Sequence, residues 1–390
     1  MKKVIFLVVV LLVASTMIFA GGGGDKGAGG TGPILIGHSA SLTGPSALWG
    51  QSERMALQME ADRINAAGGV LGRKIEFRHY DNQTLPAEAV NVANRLVSDR
   101  VVAVIGPSQS GTSRASSYVY VENKIPMLAT TATNELVTVP EGATKPLEFV
   151  FRMCFIDPYQ GAVAAAFAYR NLGVKKAGIL QDVGSDYSTF LARNFQDRFR
   201  ALGGEIVALE SFRSGELEFR AQLAKIREAG AELLFIPTQQ TEAGLAMRQA
   251  GELGLNMYYL GGDGWGSVEL MELGGPATEG SFFVNLASLE DPVLAQWVKD
   301  YNARFGQNPA MPNPVMAVDA LRAIVAAINA TGGTDGTALA RWLSNCKDVP
   351  VLSGLLTIDP NTHNPIGKAA VIETVKNGEF VFYMGIPSAL

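Results

Sequence analysis

Two cysteines and three histidines among 390 residues leave little material for a disulfide framework or a zinc cluster. The chain also lacks a basic excess. Its 32 Lys and Arg stand against 37 Asp and Glu, for a net charge of −5, whereas a nucleic-acid binder presents a basic face. Beyond residue 20, no stretch reaches the ~18 uninterrupted apolar residues that a membrane span requires. What the chain does have is a 47% hydrophobic share with 18% charged residues, enough to build a sizeable core and too apolar for global disorder. At ~100–200 residues per domain the length fits a soluble α/β protein of about two lobes.

The first segment reads as an address. Lys2-Lys3 precede an apolar run from Val4 to Leu12 that continues through Ala14 and Met17 to Ala20, the pattern of a signal peptide. Residues 1–20 are therefore expected to direct export to a periplasmic or other extracytoplasmic space. Residues 21–32 are glycine-rich with nothing to bury, a flexible linker. No cysteine lies there to carry a lipid.

Thereafter strand and helix patterns alternate. Ile34-Leu-Ile36 reads as a first strand. Leu57, Ala61 and Ile64 recur at helical spacing and stop at Gly68-Gly69. Ile75 and Phe77 alternate with Glu76 and Arg78, and Ala89, Val92, Ala93, Leu96 and Val97 line one helix face. Val101–Ile105 reads as a buried strand. A second series follows in Ala177–Leu180, Ile206–Leu209, Leu233–Ile236 and Met257–Leu260, with helical patterns at Thr189–Leu202 and Glu242–Leu253 between them. Phe149–Asp157 reads as the segment crossing from one series to the next. Such alternation predicts right-handed crossovers and two doubly wound parallel sheets.

In open parallel sheets, ligands bind beyond the carboxyl ends of the strands. Four loops there, Ser39–Gln51, Gly106–Arg114, Ala129–Glu135 and Gly261–Gly266, are rich in glycine and small hydroxyl residues, and Asp263 is a lone acid among glycines. That chemistry suits a small zwitterion: hydroxyls and free N–H groups at a helix N-terminus hold a carboxylate, and one buried carboxylate holds an ammonium. Gly106-Pro-Ser-Gln-Ser-Gly111-Thr-Ser113 approaches the phosphate-loop spacing but has Thr112 at the lysine position. Gly262-Asp-Gly264-Trp-Gly266 is one residue short of a dinucleotide motif. The Gly-x-Ser-x-Gly elbow of hydrolases is missing. His38 and His79 are expected to be packed or surface residues, and His363, between asparagines, a solvated turn residue. No catalytic constellation, metal site or cofactor is expected.

Leu42-Thr-Gly-Pro45, Trp49-Gly50, Asn65-Ala-Ala-Gly-Gly69, Val104-Ile-Gly106, Asp157-x-x-Gln160-Gly161, Met247-Arg-Gln-Ala250 and Gly262-Asp-Gly-Trp-Gly266 together resemble the bacterial solute-binding proteins for leucine, isoleucine and valine. Those proteins serve ATP-driven branched-chain amino-acid transporters. The resemblance covers nearly everything after residue 33. It implies the type I periplasmic binding protein fold, two doubly wound lobes joined by a three-segment hinge. Residues 33–153 plus 288–356 would form the N-terminal lobe and 154–287 plus 357–390 the C-terminal lobe, with crossings near 153–157, 284–288 and 355–359.

The resemblance further implies ligand-binding roles for Trp49, Ser110, Thr131, Ala132, Thr133, Tyr187, Gln239 and Asp263. Ser110 and Thr133 would take the α-carboxylate. The Thr131 carbonyl, the Thr133 hydroxyl and Asp263 would take the α-ammonium. Trp49 would cover the ligand side chain and Tyr187 close on it from the second lobe. Relatives carry a glutamate where Asp263 stands and an aromatic near Gln239. They also carry a disulfide at positions held here by Asn82 or Gln83 and by Gln109. Cys154 and Cys346 are left as two buried thiols or a different bridge. The expected protein is a monomer that captures a small amino acid, branched-chain by resemblance, closes on it and delivers it to a membrane ABC permease. A sensory component, or a binder of an amide, urea or aromatic acid, is the alternative.

Overall fold

The computed structural model describes residues 32–388, so the expected signal peptide and nearly all of the glycine-rich linker lie outside the described residues. The first sheet consists of β1 (Ile34–Ala40), β2 (Ile75–Asp81), β3 (Ala103–Ile105), β4 (Met127–Ala129) and β5 (Val150–Arg152), all parallel, in the order β2-β1-β3-β4-β5. Its crossovers are α1 (Ala47–Ala66), α2 (Pro86–Ser98) and α3 (Ser110–Glu122). The expected apolar face of α2 is its buried one: Ala89, Val92, Ala93 and Leu96 face inward, and Pro86 opens the helix where a missing N–H costs nothing.

The second sheet repeats the scheme. After α4 (Asp157–Ala166) come β6 (Lys176–Asp182), α5 (Asp186–Ala201), β7 (Glu205–Phe212), α6 (Arg220–Glu228), β8 (Leu233–Phe235), α7 (Gln240–Glu252), β9 (Tyr258–Gly261), α8 (Glu269–Gly274) and β10 (Phe282–Asn285). The parallel strands run in the order β7-β6-β8-β9-β10. The chain then returns to the first lobe as α9 (Ala295–Phe305) and α10 (Asn313–Thr331). Each ends on a left-handed glycine, Gly306 or Gly332, which stops a helix at little steric cost. The apolar helix α10 is buried against α1. Next come α11 (Gly336–Leu343) and a small sheet of β11 (Val349–Val351), β12 (Gly354–Ile358) and β13 (Pro365–Ile366), and finally β14 (Ala370–Lys376) and β15 (Glu379–Ile386).

Several expectations need correction. Within Phe149–Asp157, Val150–Arg152 is a strand of the first sheet, and only residues 153–156 cross. The second sheet is not purely parallel, because β14 and β15 add an antiparallel edge. The second crossing spans 286–294. The last comes at 367–369, between β13 and β14, later than the 355–359 expected. There Lys368 binds the buried Asp319 of α10 at 3.0 Å. Cys154 and Cys346 are separate buried thiols. His363 is buried rather than solvated: its ring stacks on Phe151 with centroids 4.4 Å apart, and Nδ1 lies 3.0 Å from the Val150 carbonyl.

Candidate ligand site between the lobes

Parallel crossovers bring helix N-termini to the carboxyl edges of both sheets, and the two edges face each other. The N-terminus of α3 carries no side-chain cap, so its first-turn N–H groups have no partner within the helix. Gly106, at φ +85, makes the approach to α3 possible: a Cβ there would stand 2.4 Å from the Ser39 carbonyl oxygen.

Between the edges lies a narrow cavity of about 10 Å³, lined by Trp49, Ser108, Gln109, Ser110, Thr131, Tyr187, Gln239 and Asp263. Six of the eight residues singled out from sequence thus meet at one place. Ala132 and Thr133 do not line it. Their loop is held by Arg152, a fully buried side chain whose guanidinium donates to the Ala132 carbonyl at 2.6 Å and the Asn134 carbonyl at 2.7 Å. The Thr133 hydroxyl is buried without a hydrogen-bond partner among the described residues, and its carbonyl accepts from Asp157 N.

Ser110 heads α3, and its Oγ accepts from Asn134 N at 3.2 Å, which leaves its own proton to donate. The Thr131 hydroxyl donates to the Ser108 carbonyl at 3.0 Å. Asp263 follows β9 in a one-turn 3-10 segment and is 3% exposed. Its Oδ1 accepts from Gln160 Nε2 at 2.8 Å. Burial raises its pKa to about 6, with Gln160 and Tyr187 opposing the rise. Asp263 does not cap α8, whose N-cap position is Val268 without a side-chain cap; the Ser267 hydroxyl, one residue earlier, accepts from Glu269 N at 3.4 Å. The flanking glycine is required for close approach, since a Cβ on Gly262 would stand 2.5 Å from the Tyr187 hydroxyl. That hydroxyl accepts from Gly264 N at 3.1 Å. Asp157, fully buried nearby, has its pKa pushed well above the carboxylate range by burial.

Trp49 is buried, and its indole N–H donates to Gln240 Oε1 across the cleft at 3.2 Å. Gln240 in turn donates to Glu269 at 2.7 Å. Three further links cross the gap: Gln240 Nε2 to the Pro45 carbonyl at 3.3 Å, Arg114 to Asp186 at 2.6 Å, and Asn134 Nδ2 to the Asp186 carbonyl at 3.1 Å. A larger cleft of about 750 Å³ opens outside the inner cavity and shares Gln109, Ser110, Tyr187 and Gln239 with it.

Three residues were not anticipated from sequence. Ser108 and Gln109 lie in the loop already marked out, two and one positions before Ser110, so their place after β3 was the available signal. Arg152 gave none. Ser108 donates to both Glu53 oxygens at 3.0 and 2.9 Å, Thr130 donates to Glu53 at 2.7 Å, and His38 lies 3.3 Å from it. His38 also meets His79 at 2.9 Å, and burial lowers the His79 pKa to about 3. A buried polar scaffold therefore supports the loops beneath the cavity. Among the described residues, no group of three or more His, Cys, Asp or Glu side chains has the arrangement of a metal site. The Ser41 hydroxyl lies 3.0 Å from Asn82 Oδ1 and 3.2 Å from Gln109 Oε1.

A profile of the periplasmic binding protein family matches residues 33–379. The chain belongs to that family. A Leu/Ile/Val-binding protein homologue of Brucella melitensis is 31% identical over 326 residues, 83% of this chain and 86% of its own length. Among solved structures, the leucine-binding protein LivK of Thermotoga maritima superposes with a TM-score of 0.82 at 33% identity, covering 90% of this chain and 98% of that one. The branched-chain amino acid transporter substrate-binding protein LivJ of Streptococcus pneumoniae, solved with isoleucine, also gives 0.82, at 27% identity over 91% and 99%. The fold is thus the two-lobed type I fold of periplasmic binding proteins, and the family is one of solute binding.

Proposed function

We propose that the chain is exported by its N-terminal leader, holds a small L-α-amino acid between its lobes, and presents the closed form to an ABC permease. The relatives' names supply leucine, isoleucine and valine as first candidates. The observation that carries the reading is the single cavity closed from both lobes, with the α3 N-terminus and Ser110 contributed by one and the lone carboxylate of Asp263 by the other. The α-carboxylate would lie on α3 and Ser110, and the ammonium on Asp263. Binding rather than catalysis fits the lining, which holds no histidine or cysteine. Closure gains from the ligand only through contacts made in the closed form, and Tyr187, Gln239 and Asp263 from the second lobe supply these. To test it, leaderless protein is unfolded and refolded to strip carried-over ligand, then screened by thermal shift against the L-amino acids. A ligand at 100 times its Kd adds ~2.7 kcal/mol, about 5–10 °C at ~2–4 °C per kcal/mol. If no amino acid shifts the protein, the reading fails.

The raised Asp263 pKa gives a pH prediction. The ammonium needs the ionised carboxylate, whose pKa burial between the closed lobes raises to about 6, so closing on the ligand below that pH requires a proton to leave. Affinity is expected to hold above pH 7 and to fall by about tenfold per unit below pH 6. Calorimetric titrations from pH 5 to 8 check this, and a flat profile contradicts it. The Arg114–Asp186 pair, about one-third exposed on both sides, is a smaller contributor. Arg114→Ala is expected to weaken binding about two- to fivefold, mainly through faster release, and the effect is expected to shrink in high salt.

A further inference from the structure

Four of the eight lining residues, Ser110, Thr131, Tyr187 and Asp263, surround the proposed zwitterion groups. In that pose the remaining four, Trp49, Ser108, Gln109 and Gln239, are left for the ligand side chain. None of the eight is Val, Leu, Ile, Met or Phe, although pockets for apolar ligands are lined mainly by such residues. We infer that Gln109 and Gln239 select a ligand side chain that is neutral and both accepts and donates hydrogen bonds, a hydroxyl or carboxamide, over a purely aliphatic one. This rests on the amino-acid reading above and narrows it.

The hydrogen bonding leaves little else for that end of the cavity to do. Trp49 has its N–H engaged by Gln240, so it offers the ligand only its ring. Ser108 has its proton committed to Glu53. Gln109 Oε1 lies 3.2 Å from the Ser41 hydroxyl, which also has Asn82 Oδ1 at 3.0 Å. Gln109 Nε2 and Gln239 Oε1 are both buried, and neither has a hydrogen-bond partner among the described residues. One is a donor from the first lobe, at the start of α3, and the other an acceptor from the second, at the start of α7. Buried polar groups are rarely left unpaired in native structures.

A carboxamide satisfies both atoms, carbonyl to Gln109 and NH₂ to Gln239, and a hydroxyl does so through one oxygen. An aliphatic tail satisfies neither and strands both on closure. A carboxylate tail has no proton for Gln239, and an ammonium tail has no lone pair for Gln109. Among the lining residues no second acid and no cation stands ready to neutralise a charged tail. Gln109 and Gln239 also border the larger outer cleft, whose lining includes Leu136, Leu147, Arg114, Asp186 and Glu242, so the selection applies to a tail held within the inner cavity.

The test is a calorimetric ranking on the stripped, refolded protein: L-threonine, L-serine, L-asparagine and L-glutamine against L-leucine, L-isoleucine and L-valine, with L-glutamate and L-lysine as charged controls. The expected result is that the tightest ligand comes from the first group, with the aliphatic group roughly 10- to 100-fold weaker, as stranding two buried amide atoms implies. The double variant Gln109→Leu, Gln239→Leu is then expected to reverse that order. Tightest binding of leucine, isoleucine or valine to the unaltered protein overturns the inference while keeping the amino-acid reading. Binding of no L-amino acid at all overturns both. The ranking on the unaltered protein decides the matter even if the double variant does not fold.

Discussion

Asp263→Asn is expected to weaken amino-acid binding by at least a hundredfold while leaving the unliganded protein as stable as before, or more so. The two effects have opposite causes. In the closed form the ligand ammonium would lose its only nearby carboxylate in the cavity lining, and truncating one partner of a buried charged pair costs about 2–5 kcal/mol. In the unliganded protein the same carboxylate is a burden: burial raises its pKa to about 6, which means the fold favours its neutral form. An asparagine keeps an oxygen for Gln160 Nε2, which binds Asp263 Oδ1 at 2.8 Å. Thermal unfolding without ligand and calorimetry with it separate the two effects. A lowered melting temperature together with unchanged affinity would make Asp263 a structural residue.

The second large effect belongs to Arg152. Its guanidinium, with no exposed surface, donates to the carbonyls of Ala132 and Asn134 and lies 3.4 Å from the Thr138 hydroxyl. It also faces Asp157, whose pKa it works to lower against burial. Arg152→Met keeps much of the volume but leaves these oxygens without their donor. Removing one member of such a buried network costs about 3–5 kcal/mol, or ~6–20 °C in melting temperature at ~2–4 °C per kcal/mol. The loop that carries Thr131 loses its anchor at the same time, so affinity is expected to fall too. A melting point within a degree or two of the parent protein would contradict this account.

What the sequence made legible follows from physical range. The α2 stripe of Ala89, Val92, Ala93 and Leu96 is a local signal of period 3.6, and it is the buried face found in the structure. The glycine-rich loops after β1, β3, β4 and β9 were visible because such loops sit at carboxyl edges in any doubly wound sheet, and each gives the cavity at least one residue. The three-residue strands divide: Ala103–Ile105 and Leu233–Phe235 sit in longer apolar runs and are legible, whereas Met127–Ala129, directly after a proline, is not, and Val150–Arg152 reads as part of a crossing segment. Arg152 looks like any surface arginine until the 132–138 loop folds over it. His363, with asparagine on either side two and one positions away, carries local turn chemistry that tertiary packing on Phe151 overrides. Thr133 is placed by resemblance alone; it is not among the residues lining the cavity, and its buried hydroxyl has no hydrogen-bond partner among the described residues.

The central claim is that an amino acid's ammonium sits on Asp263 between the lobes. Its most direct test compares, on the stripped protein at pH 8, the best-bound L-amino acid with the 2-hydroxy acid of the same side chain. The two differ only in the group that would meet Asp263. The account predicts saturable binding of the amino acid and a loss of a hundredfold or more for the hydroxy acid. Equal affinities, or tighter binding of the hydroxy acid, would contradict it.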